Sequence, residues 1–332
     1  MSDSGKVGVG KAIMFHGSRQ VRLVEEPLDT SPLAADEVAG RTLVTLVSPG
    51  TELNWAFDAK LEKPISGGYA AVFEVEALGV AVTDLKVGQH VFCMGEHRSH
   101  QRKPCTQVLP LPQGLAPETA VFARLMGVNW TTLTTTAARP ADQVLITGLG
   151  PVGNMAAQIF ESAGYRVTAI DPLAQRRELA GRCGIRDIRS AAMGHADLTD
   201  RVALAVECSG HEQAAIDACR VVRKGGEVVL VGVPWKKNID AAAFEITHAV
   251  FHRFVTLRSG WEWELPLQQT NFARGSIFAN FASALSWLAQ GRVRVEGLGY
   301  LALPQDAQAV YTELLERRSP APAALFDWRK VK

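Results

Sequence analysis

The chain is poor in cysteine, with five in 332 residues (Cys93, Cys105, Cys183, Cys208 and Cys219). An odd, scattered set fits a reducing cytoplasm and excludes a disulfide scaffold. Charge of one sign is lacking too: 35 Lys and Arg face 34 Asp and Glu, a formal charge of +1. No net field steers a polyanion, so neither nucleic acid nor a membrane surface is an expected partner. No apolar run approaches the roughly 18 residues of a membrane span. The opening Met1-Ser2-Asp3-Ser4-Gly5-Lys6 has no hydrophobic leader, so a cytoplasmic location is expected. Internal repeats and low-complexity segments are missing as well. Hydrophobic residues at 47% and charged residues at 21% are ordinary for a chain that buries large cores. At about 150 residues per domain, the length suggests about two domains.

The first 115 or so residues read as β-rich. Val21–Val24, Glu37–Val44 and Val72–Ala77 alternate apolar with polar positions between Gly and Pro breaks. After Leu115-Ala116-Pro117-Glu118 the texture changes to strands alternating with helices. Val144–Thr147, Arg166–Ile170, Val202–Glu207 and Glu227–Val233 read as strands. Val152–Ala163, Ala174–Cys183 and Glu212–Val222 read as helices. That alternation predicts an α/β fold with a Rossmann-type doubly wound parallel sheet. An amphipathic stretch from Ser276 (Phe278, Phe281, Leu285, Leu288) then leads into a closing strand-plus-helix tail. The expected division is 1–124, 125–268 and 269–332, with the outer pieces forming one domain.

Gly148-Leu149-Gly150-Pro151-Val152-Gly153 matches G-x-G-x-x-G, follows an apolar strand and opens a helix. The first Gly serves the turn, the second lets backbone approach a pyrophosphate, and the third lets helix pack on sheet. Asp171 ends the next strand 18 residues after Gly153, the spacing for a carboxylate on the adenosine ribose. It predicts NAD, because a carboxylate there opposes the 2′-phosphate of NADP. Arg176 and Arg177 keep NADP open by offering that phosphate a cation.

With this fingerprint mid-chain and a β-rich segment before it, the sequence resembles the medium-chain dehydrogenase/reductase superfamily over nearly its whole length. Gly88-Gln89-His90-Val91-Phe92 resembles the family's G-D-R-V strand, and Leu109–Leu115 its lead-in to the Rossmann domain. Val206-Glu207-Cys208-Ser209-Gly210 is similar to its V-(I/F)-(D/E)-x-(T/S)-G element, one residue shorter. Arg223–Gly232 resembles R-x-G-G-x-V-V-x-x-G. The resemblance implies a Rossmann domain inserted in a GroES-like β-rich catalytic domain, with hydride moving in a cleft between them. It also implies a cofactor set of Gly148, Leu149, Gly150, Pro151, Val152, Gly153, Asp171, Arg176, Cys208, Ser209, Gly210, Val231, Gly232 and Val233.

The family's zinc ligands are not there. Its Cys position falls on Ser48, its G-H-E motif reads Gly67-Gly68-Tyr69, and its later ligand falls near Ala123-Arg124. Catalytic zinc needs three good protein ligands, so the expectation is an enzyme without metal. Cys93, His97, His100 and Cys105, close together but not in finger spacing, are the alternative metal group. Without a metal, hydrogen-bond donors must polarise the substrate oxygen. Tyr69, Ser48 and His97 are the candidates for catalysis, with Tyr69 the better proton donor; Glu52 either orients the cofactor or, as the preferred reading, caps the following helix. Tyr69 and Ser48 also have ordinary readings, as a packing residue of the cleft wall and as the start of the turn at Pro49-Gly50. Trp55, Phe57, Trp261 and Trp263 suit a bulky, mostly apolar small-molecule substrate, and are equally good core or interface anchors. The Ser48–Glu52 turn is similar to one in the bacteriochlorophyllide a dehydrogenase branch. The reading is a zinc-independent, NAD-dependent secondary-alcohol dehydrogenase or carbonyl reductase, expected as a homodimer through the strand near Phe254–Ser259. The alternatives are an enone or quinone reductase and a silent NAD-binding protein.

Overall fold

The computed structural model describes residues 8–331. The chain divides into two compact units, Met1–Arg124 with Gly299–Lys332, and Leu125–Leu298.

The first unit is β-rich because its strands alternate and its breaks are Gly and Pro. Val9–Gly17 and Gln20–Pro27 form an antiparallel hairpin, with Ile65–Ser66 on the other edge of Val9–Gly17. In the larger sheet, Glu37–Leu46 pairs antiparallel with Ala71–Leu78, which pairs with His90–Cys93, followed by Val108–Pro110. On the far side Ala323–Asp327 pairs antiparallel with Glu37–Leu46 and parallel with Gly299–Ala302. The tail therefore completes a sheet begun by the N-terminal segment. Its core brings Phe15 and Phe57 from the start of the chain against Tyr311, Phe326 and Trp328 from its end.

The second unit has six parallel strands. Across the sheet they run Ile188–Arg189, Arg166–Ile170, Gln143–Thr147, Val202–Glu207, Val222–Leu230 and Thr256–Ser259. Numbered along the chain this is order 3-2-1-4-5-6, the Rossmann arrangement, whose ligand crevice opens where the order reverses. That reversal lies between Gln143–Thr147 and Val202–Glu207. All six residues of Val202–Glu207 are buried, as expected for a parallel strand covered on both faces.

In the second unit, a short strand and a helix were not announced by the sequence. Ile188–Arg189 is a two-residue edge strand whose Arg189 is tied to Asp187 and Asp197, so it carries no apolar run. The helix Phe244–Arg253 keeps Phe244 and Phe251 largely exposed and shows no core-facing stripe.

The second division also differs from expectation, at Leu298 rather than 268. The helix Ile277–Ala289, capped by the Ser276 hydroxyl accepting from the Ala279 N–H (3.2 Å), belongs to the second unit. Asn280 Nδ2 donates to Thr131 Oγ1 (3.1 Å), and Trp287 meets Trp130 edge-on with centroids 4.6 Å apart. Farther on, Gln158 clasps the Arg294 backbone through both polar atoms of its amide. An apolar stripe announces burial but does not name its partner. The linker after 268 therefore gave no sign that this helix stays with the parallel sheet.

Candidate functional site

Gly148, Leu149 and Gly150 join the strand Gln143–Thr147 to the helix Pro151–Ser162. Gly148 has φ +82° and donates its N–H to the Ile170 carbonyl (2.8 Å). A Cβ at Gly153 would lie 1.8 Å from the Gly148 carbonyl oxygen, so only glycine lets this helix sit so close to its strand. Gly150 is different. An added Cβ there meets only Arg176 Nη1, at 3.6 Å, and Gly150 caps the helix without a side chain. With Pro151 filling the first helical position, the remaining first-turn N–H groups and the positive dipole end form an anion seat.

The carboxylate of Asp171, 2% exposed, accepts from the N–H of Leu149 and of Leu173, both at 2.8 Å. Arg176 Nη1 lies 3.6 Å from its Oδ2. Arg177 turns away and donates to the carbonyls of Asp171 and Pro172. Across the switch point, Glu207 accepts from the N–H of Ser209 (2.6 Å) and Gly210 (3.0 Å) and from the Ser209 hydroxyl. Its backbone carbonyl takes the N–H of Val231 and Gly232. Burial outweighs these bonds and raises the Glu207 carboxyl above its ordinary range. Burial, reinforced by Glu207, likewise keeps the Cys208 thiol protonated. The expected cofactor residues thus gather at the C-terminal ends of the strands, and Val233 lies half exposed beyond them.

The second group lies in the β-rich unit, on the turn after Glu37–Leu46. Ser48 caps the short helix Pro49–Glu52 with its backbone, and Glu52 Oε1 accepts the Ser48 N–H (2.7 Å). Glu52 was expected to cap the helix that follows it; its side chain instead reaches back to the start of the helix it ends and makes no cap on Leu53–Phe57. Its other oxygen accepts from the Tyr311 hydroxyl (2.5 Å) and meets His97 Nε2 (3.0 Å). His97 Nδ1 lies 2.7 Å from Thr45 Oγ1, which takes the Trp328 indole N–H (2.9 Å). One proton assignment satisfies every group. Trp328 donates to Thr45, Thr45 to His97 Nδ1, and His97 Nε2–H to Glu52. The sequence reading had His97 offering a ring nitrogen to substrate. The structure instead gives a histidine with no exposed surface and both nitrogens spent on the protein.

Ser48 and Tyr69 do come together. The Ser48 and Thr51 side chains approach the Tyr69 phenol closely enough to favour its charged form. The guanidinium of Arg124 stacks over the Tyr69 ring, 4.4 Å from its centroid. Burial raises the Tyr69 pKa, so the phenol holds its proton at neutral pH; Arg124, Ser48 and Thr51 pull it down, and Glu52 opposes them. Arg124 was read only as a poor zinc ligand. Its signal was a lone charge within Ala120-Val121-Phe122-Ala123-Arg124-Leu125-Met126.

This set does not fit a zinc ion. Two hydroxyl groups and a cation face each other where three metal ligands are needed. The Cys93-to-Cys105 run makes no ligand set either. Cys93 is fully buried with its thiol pushed up to about 12, and His97 is committed as described. Among the described residues no group of three or more His, Cys, Asp or Glu could hold a metal.

Residues 151–262 match the model of the zinc-binding dehydrogenase family. The chain is 26% identical to an alcohol dehydrogenase of Geobacillus stearothermophilus, over 64% of this chain and 77% of that one. It is 25% identical to a sorbitol dehydrogenase of Bacillus subtilis, over 69% and 76% respectively. The chain belongs to the medium-chain dehydrogenase/reductase superfamily. Its fold follows that of galactitol-1-phosphate dehydrogenase from Escherichia coli, with a TM-score of 0.80 at 18% identity over 96% of this chain and 99% of that one. The β-rich unit is accordingly the GroES-like domain of the superfamily, and the second unit its Rossmann domain. The protein is an alcohol dehydrogenase-like oxidoreductase that uses a nicotinamide dinucleotide. Among the described residues no helix is long and apolar enough to cross a membrane.

The glycine geometry separates a binding role from a packing role. Gly150→Ala is expected to melt at or slightly above the wild-type temperature, since its φ of −64° suits alanine. It should lose dinucleotide affinity about tenfold or more, about 1.4 kcal/mol, measured by quenching of NADH fluorescence. Gly153→Ala should instead lose about 1–3 kcal/mol of stability in a thermal melt. Full NADH affinity in Gly150→Ala would remove the fingerprint from the binding site.

Proposed function

We propose that this superfamily member works without zinc, transferring a hydride between NAD(H) and a secondary alcohol or its ketone. The observation that carries this reading is the Ser48–Tyr69–Arg124 group, hydroxyl donors backed by a cation at the positions where the superfamily resemblance expects metal ligands. Hydride transfer to a carbonyl needs alignment, a polariser for the oxygen and a proton. Tyr69 and Ser48 supply the donors. His97 serves them indirectly, by fixing Glu52 and through it the Ser48 turn. On the cofactor side, Gly148 to Gly153 cradle the pyrophosphate, and Cys208 to Gly210 with Val231 to Val233 flank the nicotinamide half. Asp171 supports NAD over NADP, and Arg176 is drawn onto its carboxylate rather than left free for a phosphate.

The deciding experiment follows NADH oxidation against saturated ketones and against enones or quinones, on protein assayed for metal. Bulky ketones belong in the panel, a chlorophyllide-type macrocycle among them because of the short-motif likeness at Ser48–Glu52. Turnover of ketones with well under one zinc per chain is expected. Turnover of the conjugated set alone would favour the reductase alternative, none at all the silent binder, and a full zinc equivalent would end the metal-free reading.

Asp171→Ser should weaken NADH about tenfold relative to NADPH, and cost about 1 kcal/mol of stability because Leu149 and Leu173 lose their acceptor. An unchanged cofactor preference would take Asp171 off the ribose.

The reading includes a homodimer. Phe254 closes the helix Phe244–Arg253 in the left-handed region (φ 56°, ψ 33°) with its ring 74% exposed. Such backbone costs about 1 kcal/mol in a non-glycine residue, and this ring earns little burial in return within its own chain. Phe251 is exposed beside it, and Thr256–Ser259 is an edge strand of the six-stranded sheet. Phe254→Gly should keep or raise the melting temperature while weakening self-association about tenfold in sedimentation velocity. An unchanged dimer would exclude this face.

A further inference from the structure

Arg124 is an awkward residue by ordinary rules. It is 5% exposed, and it stands in the first turn of the helix Ala123–Thr135, where the dipole already makes the environment positive. Burial and dipole both disfavour a cation there. What the guanidinium does face is the π-surface of Tyr69, 4.4 Å from the ring centroid, while Ser48 and Thr51 approach the same phenol. A cation held this close to a phenol stabilises negative charge on its oxygen.

We propose that Arg124 is the positioning residue of the proton transfer, lowering the cost of the Tyr69 phenolate left when the phenol protonates the substrate oxygen. This rests on the carbonyl reduction proposed above. Hydride from the reduced nicotinamide forms the new C–H bond as the carbonyl π bond breaks, leaving an alkoxide and the oxidised cofactor. The Tyr69 O–H bond breaks as the alkoxide O–H bond forms. The phenolate is then held by Arg124 and the hydroxyl donors of Ser48 and Thr51 until it regains a proton from water. Glu52 is the opposing charge, and its oxygens are engaged by Ser48, Tyr311 and His97. Arg124 and the helix end thus supply the electropositive side, and Glu52 an electronegative one.

The test titrates tyrosine directly and needs no turnover. The chain has four tyrosines, so 13Cζ-tyrosine NMR resolves them once Tyr69→Phe assigns one signal. In the wild type Tyr69 should ionise before Tyr311, which is fully buried, contacts Glu52 and is held well above the ordinary phenol range. Arg124→Gln should raise the Tyr69 midpoint by about one unit or more, and Arg124→Lys should restore most of the difference. The pH profile of ketone reduction should follow, its alkaline fall moving up with the midpoint and its plateau dropping about tenfold per unit. An unmoved midpoint in Arg124→Gln, or Lys behaving as Gln does, overturns the proposal even if ketones are reduced. If Arg124→Gln does not fold, the wild-type order decides, and Tyr311 ionising first overturns it. The expected titration with no carbonyl turned over by the wild type would instead overturn the functional reading, and the proton-transfer step with it.

Discussion

The β-rich unit is organised around one buried carboxylate. Glu52 is 1% exposed, and a carboxylate so placed costs several kcal/mol unless its oxygens are matched by donors. Three donors match it: the backbone N–H of Ser48, the hydroxyl of Tyr311 and the imidazole of His97. They come from the turn itself, from a helix near the end of the chain and from the loop between two strands. Through His97 and Thr45 the network continues to Trp328. Moving the Ser48–Glu52 turn would strip partners from all of them at once. Ser48 and Thr51 therefore present their hydroxyls to Tyr69 from a rigid support, which precise hydrogen-bond donation requires.

The Rossmann unit uses the same device twice. Asp171 and Glu207 end two strands on either side of Gln143–Thr147, and each folds its carboxylate back onto the N–H groups of the loop that follows. Asp171 also reaches across to Leu149 and ties the glycine turn to the neighbouring strand. The two differ in charge environment. Arg176 stands beside Asp171, whereas Glu207 is held by hydrogen bonds that burial outweighs. Both carboxylates thus fix the backbone of the loops at the switch point, Asp171 with a cation beside it.

Much of this was legible in sequence where a pattern is local. Continuous apolar runs mark parallel strands, and Gly148, Gly150 and Gly153 sit at spacings that a turn, a phosphate and a helix contact each impose. The catalytic unit was harder because its contacts are distant. His97 looked available, since nothing near it in sequence announces Glu52, Thr45 or the aromatic cluster that closes over it. Tyr311 and Glu52 are 259 positions apart, and no spacing rule links them. The helix Ile277–Ala289 shows the same limit, because its stripe fits either unit until Thr131 and Trp130 are seen to receive it. Ile188–Arg189 was hidden by its own charges.

Arg124 sets the charge around the Tyr69 phenol. Two unit charges about 4 Å apart interact by about 4 kcal/mol at the effective dielectric near a protein surface, and a dication doubles that. A cation brought to the Tyr69 hydroxyl would be repelled by the Arg124 guanidinium stacked on the same ring. A Lewis acid acts by withdrawing electron density from a bound oxygen. A guanidinium cannot coordinate, so it must act on a group that carries a proton. That is the reason for a phenol beneath it, and for two hydroxyls converging on the phenol oxygen. In the proposed reading the positive charge stays beside the reacting oxygen, and a proton on Tyr69 takes the part that a coordination bond would otherwise play.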